Sequence, residues 1–203
     1  MKPKQGQERS YGDRRREQIL ENMAKIVAAE GLGDMSVREI AAKIGMTGPT
    51  LLHHFGPKDE MFLHLGGYMA NKQSEYFVEA AKNAENAAEA LRNLWAMHAE
   101  ESARREIYAV FELISRWRNL PFEYLSRVER GNERRRSRLR ELIEQDGVPV
   151  EESDRIAAVL GGGYRGLILD SVMSDDPARL EEALETLLSW YESLYLPSLT
   201  ETL

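Results

Sequence analysis

The chain has 203 residues, 42% hydrophobic and 30% charged, ordinary proportions for a globular protein of one domain or two small ones. With no cysteine it has neither disulfides nor thiolate chemistry, and with no long apolar run or basic, apolar leader it reads as lacking a membrane span and a secretory signal, as a cytoplasmic protein does. The net charge of −7 weighs against a nucleic-acid partner, but it is unevenly placed: residues 1–60 hold ten Lys/Arg and nine Asp/Glu, and the rest of the chain carries the acidic excess.

Within residues 1–16, Lys2, Lys4, Arg9, Arg14, Arg15 and Arg16 face only Glu8 and Asp13, a composition that suits an arm lying along phosphates and equally a solvated tail. Asp13 reads as the cap of a first helix with an apolar stripe of Ile19, Leu20, Met23, Ile26 and Val27, ended by Gly31. Ser36 followed by Glu39 is a capping box. Val37, Ile40, Ala41 and Ile44 then form one apolar face of a short helix, stopped by Gly45 in the left-handed conformation. Thr47 caps a third helix, with Met46 placed to pack on Leu51 and Pro49 in the first turn, where its missing amide costs no hydrogen bond. Leu51 and Phe55 point inward, leaving Gly48, Thr50, His53 and His54 outward. Two short helices joined by a glycine turn, the second with a nearly uncharged outer face, form a helix-turn-helix over residues 36–55, whose second helix enters a major groove by its N-terminal end. A plain helical hairpin inside a bundle is the alternative.

In order and spacing, residues 13–65 resemble the N-terminal domain of the tetracycline-repressor (TetR) family of bacterial transcription regulators. The matching features are an Ile-Leu helix ending in glycine, a Ser-initiated helix with Ile-Ala, a Gly-apolar-Thr turn, Thr-Leu-x-x-His-Phe, and a Lys that begins the linking helix. The resemblance implies an all-α fold, with a helix-turn-helix domain at 13–73 and a helical ligand-binding and dimerisation domain at 74–203. It implies a base-reading role for Arg38 and groove entry by Gly48, Pro49 and Thr50, with Pro49 offering apolar contact to a thymine methyl. Thr47, His53, His54 and Lys58 match positions that hold phosphates. Leu52 departs from the pattern, standing where a Tyr hydroxyl usually contacts the DNA backbone.

Pro57 launches a fourth helix, Lys58 to about Lys82, with Gly66-Gly67 as a candidate bend. Further helices are predicted from about Asn86 to Ala103, Arg104 to Trp117, Pro121 to Gln145, Ser153 to Met173 and Pro177 to Tyr195. Between Ile156 and Val172 the residues are apolar or small nearly all round, interrupted by Arg165 and Asp170, which predicts burial on two sides. Asp176 and Pro177 start a last helix with a stripe of Leu180, Ala183, Leu184, Leu187, Leu188, Tyr191 and Leu194. Covering both helices calls for a homodimer through about 153–173 and 177–195, which is also how the family dimerises.

Other motifs are weaker. Gly161 to Gly166 contains a G-x-G-x-x-G, but on a helical pattern instead of after a strand, so close helix packing is its better account. Arg134, Arg135, Arg136, Arg138 and Arg140 form a basic run that Glu133, Glu141 and Glu144 can pair along one helix. His53, His54, His64 and His98 lack metal spacing, and no nucleophile or acid/base pair marks an enzyme, so no catalytic residue, metal or cofactor is assigned. Trp95, His98, Tyr108, Phe111, Trp117, Tyr124 and Tyr164 are candidates to line an effector cavity, or are ordinary core. Leu125, Val128, Leu139 and Leu142 mark an inward face interrupted near Asn132 and Arg135 or Arg136; facing inward, these would favour a polar or anionic ligand.

The sequence therefore describes a dimeric, ligand-responsive regulator, a repressor released from a palindromic double-stranded DNA operator by a small molecule. The alternative is a helical small-molecule-binding protein that does not read DNA.

Overall fold

The computed structural model describes residues 11–33, 35–117, 122–174 and 176–196, with side chains described from Gly12 and, around the α6–α7 connection, up to Ser115 and again from Asn132. Among the described residues all regular structure is helical: α1 (Tyr11–Glu30), α2 (Val37–Lys43), α3 (Gly48–Phe55), α4 (Lys58–Ala80), α5 (Ala87–Ala99), α6 (Glu101–Trp117), α7 (Phe122–Gln145), α8 (Val150–Asp170) and α9 (Pro177–Tyr195). The basic arm at Lys2, Lys4 and Arg9 lies outside the described residues.

Between Ser36 and Phe55 the caps and the turn form as read. At α2 the Glu39 amide donates to Ser36 Oγ at 3.2 Å and the Ser36 amide to Glu39 Oε2 at 2.8 Å, which completes the capping box. Gly45 holds φ at +69°, a conformation that ends α2 and that a residue with a Cβ resists. At α3 the Thr50 amide donates to Thr47 Oγ1. Asp13 is a correction: α1 already starts at Tyr11, and Asp13 lies inside the first turn, where a carboxylate faces the positive end of the helix dipole. Pro57 is the N-cap of α4, not its first helical residue, and α4 runs unbroken through Gly66-Gly67.

Three later boundaries also move. The chain leaves α5 at Glu100, with extended backbone, and restarts at Glu101. The reason is phase: His98 and Ala103 are both buried, yet in one continuous helix they would lie about 140° apart around the axis. The break lets each turn inward. Helix α8 begins at Val150 behind Pro149, so Ser153 is interior to it; its hydroxyl donates to Glu144 Oε1 at 2.8 Å. The same helix ends at Asp170, short of Met173.

Two apolar clusters hold the chain. The first gathers Ile19, Met23 and Val27 of α1, Ile40 and Ala41 of α2, Leu51 and Phe55 of α3, and Met61, Leu65 and Met69 of α4, and it is closed by Ala109, Val110 and Leu113 of α6. The second joins Phe77 of α4, Leu91 and Leu94 of α5, Leu139 and Ile143 of α7, Leu160 and Ile168 of α8, and Leu184, Leu188 and Tyr191 of α9. Each large side chain fully withdrawn from water contributes ~1.5–3 kcal/mol, so the clusters dominate the favourable side of folding. Helix α4 passes from one to the other between Met69 and Phe77, and α6 belongs to both through Leu113 and Ile107.

Polar ties then fix the helices around the second cluster. Arg92 of α5 donates to both Glu185 oxygens and to Glu192 of α9, with contacts of 2.6–3.1 Å. Asp146, after α7, accepts from the Ala87 amide at 2.9 Å and from Tyr191 Oη at 2.5 Å.

Two expectations of burial change. In α8, Ile156, Ala157, Leu160, Tyr164 and Ile168 are buried, but Val159 and Leu169 are exposed, so one chain covers only one side of this helix. In α9 the predicted stripe turns inward except Leu194, which is exposed. Gly163 faces α9 so closely that a Cβ there would stand 2.7 Å from Leu187 Cδ2, which accounts for part of the glycine run by packing within the chain.

Candidate nucleic-acid interface and interior polar cluster

Helix α3 buries Leu51 and Phe55 and leaves Thr47, Pro49, Thr50, Leu52 and His53 on the surface, with Gly48, His54 and Lys58 half-exposed. The eight-residue helix is set by the two buried residues, one turn apart on the side that meets α1, α2 and α4. Its N-terminal end is neutral and rich in small side chains; Thr47 Oγ1 and Thr50 Oγ1 lie 2.7 Å apart across the first turn. Arg38 is exposed on α2 beside this end: a methyl on Gly48 would be 3.9 Å from Arg38 Cα.

The head is positive here despite the acidic chain. His54 is held below the usual histidine range first by burial, then by the charges of His53, Arg16 and Arg15. Arg16 of α1 lies over the Phe55 ring, 5.0 Å from its centroid, and contacts His64 Nε2 at 3.4 Å, tying α1 to α3 and α4. Lys58 Nζ sits 5.5 Å from the Phe62 centroid, so its stem lies along the first turn of α4.

The aromatic residues considered for an effector separate into two places. Trp95, His98 and Tyr164 come together: His98 Nδ1 is 2.7 Å from Tyr164 Oη, and the Trp95 and Tyr164 rings meet edge to face at 5.9 Å. Tyr108 and Phe111 instead line a cleft of about 490 Å³ between α1, α6 and α8, with Val27, Glu112, Leu169 and Val172. Tyr108 Oη donates to the Ser171 carbonyl at 3.2 Å, binding α6 to the end of α8. Trp117 and Tyr124 lie outside the residues whose side chains are described.

Sequence reasoning missed Gln73. It sits on α4, is almost wholly buried, and its Oε1 lies 3.0 Å from His98 Nε2. An amide oxygen only accepts, so Nε2 carries the hydrogen of the neutral ring and Nδ1 accepts from Tyr164. Burial, and behind it the charge of Arg135, lowers His98 to about 4. Of the two arginines left open by the sequence, Arg135 turns inward. Arg136 turns out to pair with Glu133, as Arg138 does with Glu141 and Arg140 with Glu144. A polar residue inside a helical apolar stripe was the only available signal for Gln73, and a single glutamine is too common to carry it.

Residues 19–65 match the model of the family described as bacterial regulatory proteins, tetR family. The chain carries a TetR-family domain. No curated protein matches it. Among solved structures, a transcriptional regulator from Rhodococcus sp. Rha1 is 24% identical with a TM-score of 0.72, over 88% of this chain and 96% of that one. A TetR-family regulator from Rhodococcus sp. is 18% identical, with a TM-score of 0.71 over 89% and 98%. A candidate transcriptional regulator from Saccharomonospora viridis, solved in complex with choline, is 18% identical with a TM-score of 0.66, over 88% and 96%. The fold of TetR regulators thus extends over the TetR-type head and the body behind it. None of the helices described is long and apolar enough to cross a membrane.

Proposed function

We propose that this protein is a dimeric, sequence-specific DNA-binding regulator, a repressor that a small molecule releases from a near-palindromic operator. The observation that carries the reading is the α3 surface. A short helix fixed from behind by Leu51 and Phe55 presents its capped N-terminus, Thr47 to Thr50, free of acidic side chains and flanked by Arg38, His53 and His54. That shape fits a major groove, with Arg38 at a base edge and Thr47, His53, His54 and Lys58 at phosphates. Leu52 is 40% exposed on the same helix and adds an apolar contact in place of a hydroxyl.

The dimer rests on apolar residues that one chain leaves uncovered: Val159 and Leu169 of α8, and Trp190 and Leu194 of α9. Pairing these helices with their copies places two heads ~34–36 Å apart, one turn of the duplex. Effector binding in the body is supported by the polar cluster around His98 and by the choline held in the S. viridis structure. Selection of bound sequences from random duplexes tests the reading. A two-fold consensus with one-turn half-site spacing is the expected result; recovery of no consensus favours a ligand-binding protein that does not read DNA.

A further inference from the structure

Between α7 and α8 the body holds two guanidiniums that no described carboxylate answers. Arg135 Nε is buried without a hydrogen-bond partner, and the hydrogen bond Arg135 does make runs from Nη2 to the neutral Asn132 side chain. Its neighbours in the same run, Arg136, Arg138 and Arg140, each have a glutamate. Arg165 folds back along α8: a methyl on Gly161 would lie 3.4 Å from Arg165 Nη1 and 3.7 Å from Leu139 Cδ2 of α7. Burial first, and then the charge of Arg165, lowers Arg135, just as burial first, and then the charge of Arg135, lowers His98. His98 has both ring nitrogens engaged by Tyr164 and Gln73, and an imidazole, neutral or cationic, balances no guanidinium.

A buried charge without a partner is costly, and a like charge nearby, even on an exposed side chain such as Arg165, adds to that cost. An anion lying against Arg135 and within reach of Arg165 would offset that cost. The planar fork of a guanidinium matches the two oxygens of a carboxylate, and the second apolar cluster, with Leu139 and the paired Tyr164 and Trp95 rings, offers an apolar wall. We propose that the effector is a small organic carboxylate, its charged end between Arg135 and Arg165 and its apolar part against Tyr164 and Trp95. The inference rests on the reading that the body binds an effector, and it sets this chain apart from the S. viridis protein, whose bound choline is a cation.

Thermal unfolding of the full chain at neutral pH and fixed ionic strength, with benzoate, octanoate, inorganic phosphate or choline chloride, tests it. At least one carboxylate should raise Tm saturably, with phosphate and choline doing little. Arg135→Met should raise the Tm of the ligand-free protein, because it removes an uncompensated charge, and should weaken the carboxylate by about tenfold or more. If that variant does not fold, Arg165→Met, at an exposed position, must show the same loss of affinity. Stabilisation by choline or phosphate in preference to both carboxylates overturns the proposal, as do silence of both carboxylates and an unchanged response in the variants. Duplex binding measured in parallel separates the two readings: carboxylate binding without any duplex binding leaves this site standing and removes the regulator, whereas a duplex released only by other chemistry does the reverse.

Discussion

Glu112 Oε2 accepts the Leu32 amide at 2.8 Å, across 80 residues of sequence, while its other oxygen accepts from Gly33 at 2.9 Å. One side chain of α6 thus satisfies amides that follow the end of α1 and lead into the helix-turn-helix. With the apolar cluster that α6 shares with the head, this is a direct mechanical link from body to head. Glu112→Gln keeps the shape but leaves one oxygen and no charge. It should cost ~1–3 kcal/mol in chemical denaturation. A midpoint that stays put would show that the packing of Ala109, Val110 and Leu113 holds this junction alone.

Acid should destabilise the body through His98. Its folded-state value, about 4, lies below the unfolded value of 6.5, so the unfolded chain binds the extra proton between them. The stability due to the neutral ring is complete above pH 6.5 and is lost as pH falls toward 4, an effect of roughly 3 kcal/mol or less. Other groups also take up protons as the pH falls, so the comparison is with His98→Gln. The variant should show a flatter fall of unfolding free energy between pH 6.5 and 5, and parallel curves would place the titration elsewhere.

The α3 cap predicts a separable pair of effects. Thr47→Ala should lower stability by ~1 kcal/mol and Thr47→Ser should restore most of it, since only the hydroxyl acceptor is needed. Equal losses in both variants would mean that the cap bond to Thr50 contributes little.

On DNA, Arg38→Ala should cost ~1–3 kcal/mol and relax preference at one base pair per half-site, while Lys58→Ala should weaken all sequences alike and reduce the salt slope by ~1. Titrations of the selected operator and of single-base variants over a range of salt distinguish these roles.

Trp190→Glu puts a charge on the exposed strip of α8 and α9. The wild-type chain is expected to sediment as a dimer and the variant as a monomer with unchanged helical circular dichroism. A monomeric wild type would remove the proposed interface.

The capping box at Ser36 and Glu39, the turn at Gly45, the cap at Thr47 and the stripe of α9 were legible in the sequence because each is a relation between residues one helical turn or a few turns apart, where rise and rotation are fixed. The same rule located the outer face of α3. The break at Glu100, the turning of Arg135 inward and Arg136 outward, and the convergence of Gln73, His98 and Tyr164 were decided only by the tertiary structure. Those residues stand on α4, α5 and α8, and His98 meets its partners across 25 and 66 residues. Local geometry says which side of a helix a residue occupies; what stands on the other side of the contact is set by how the helices pack.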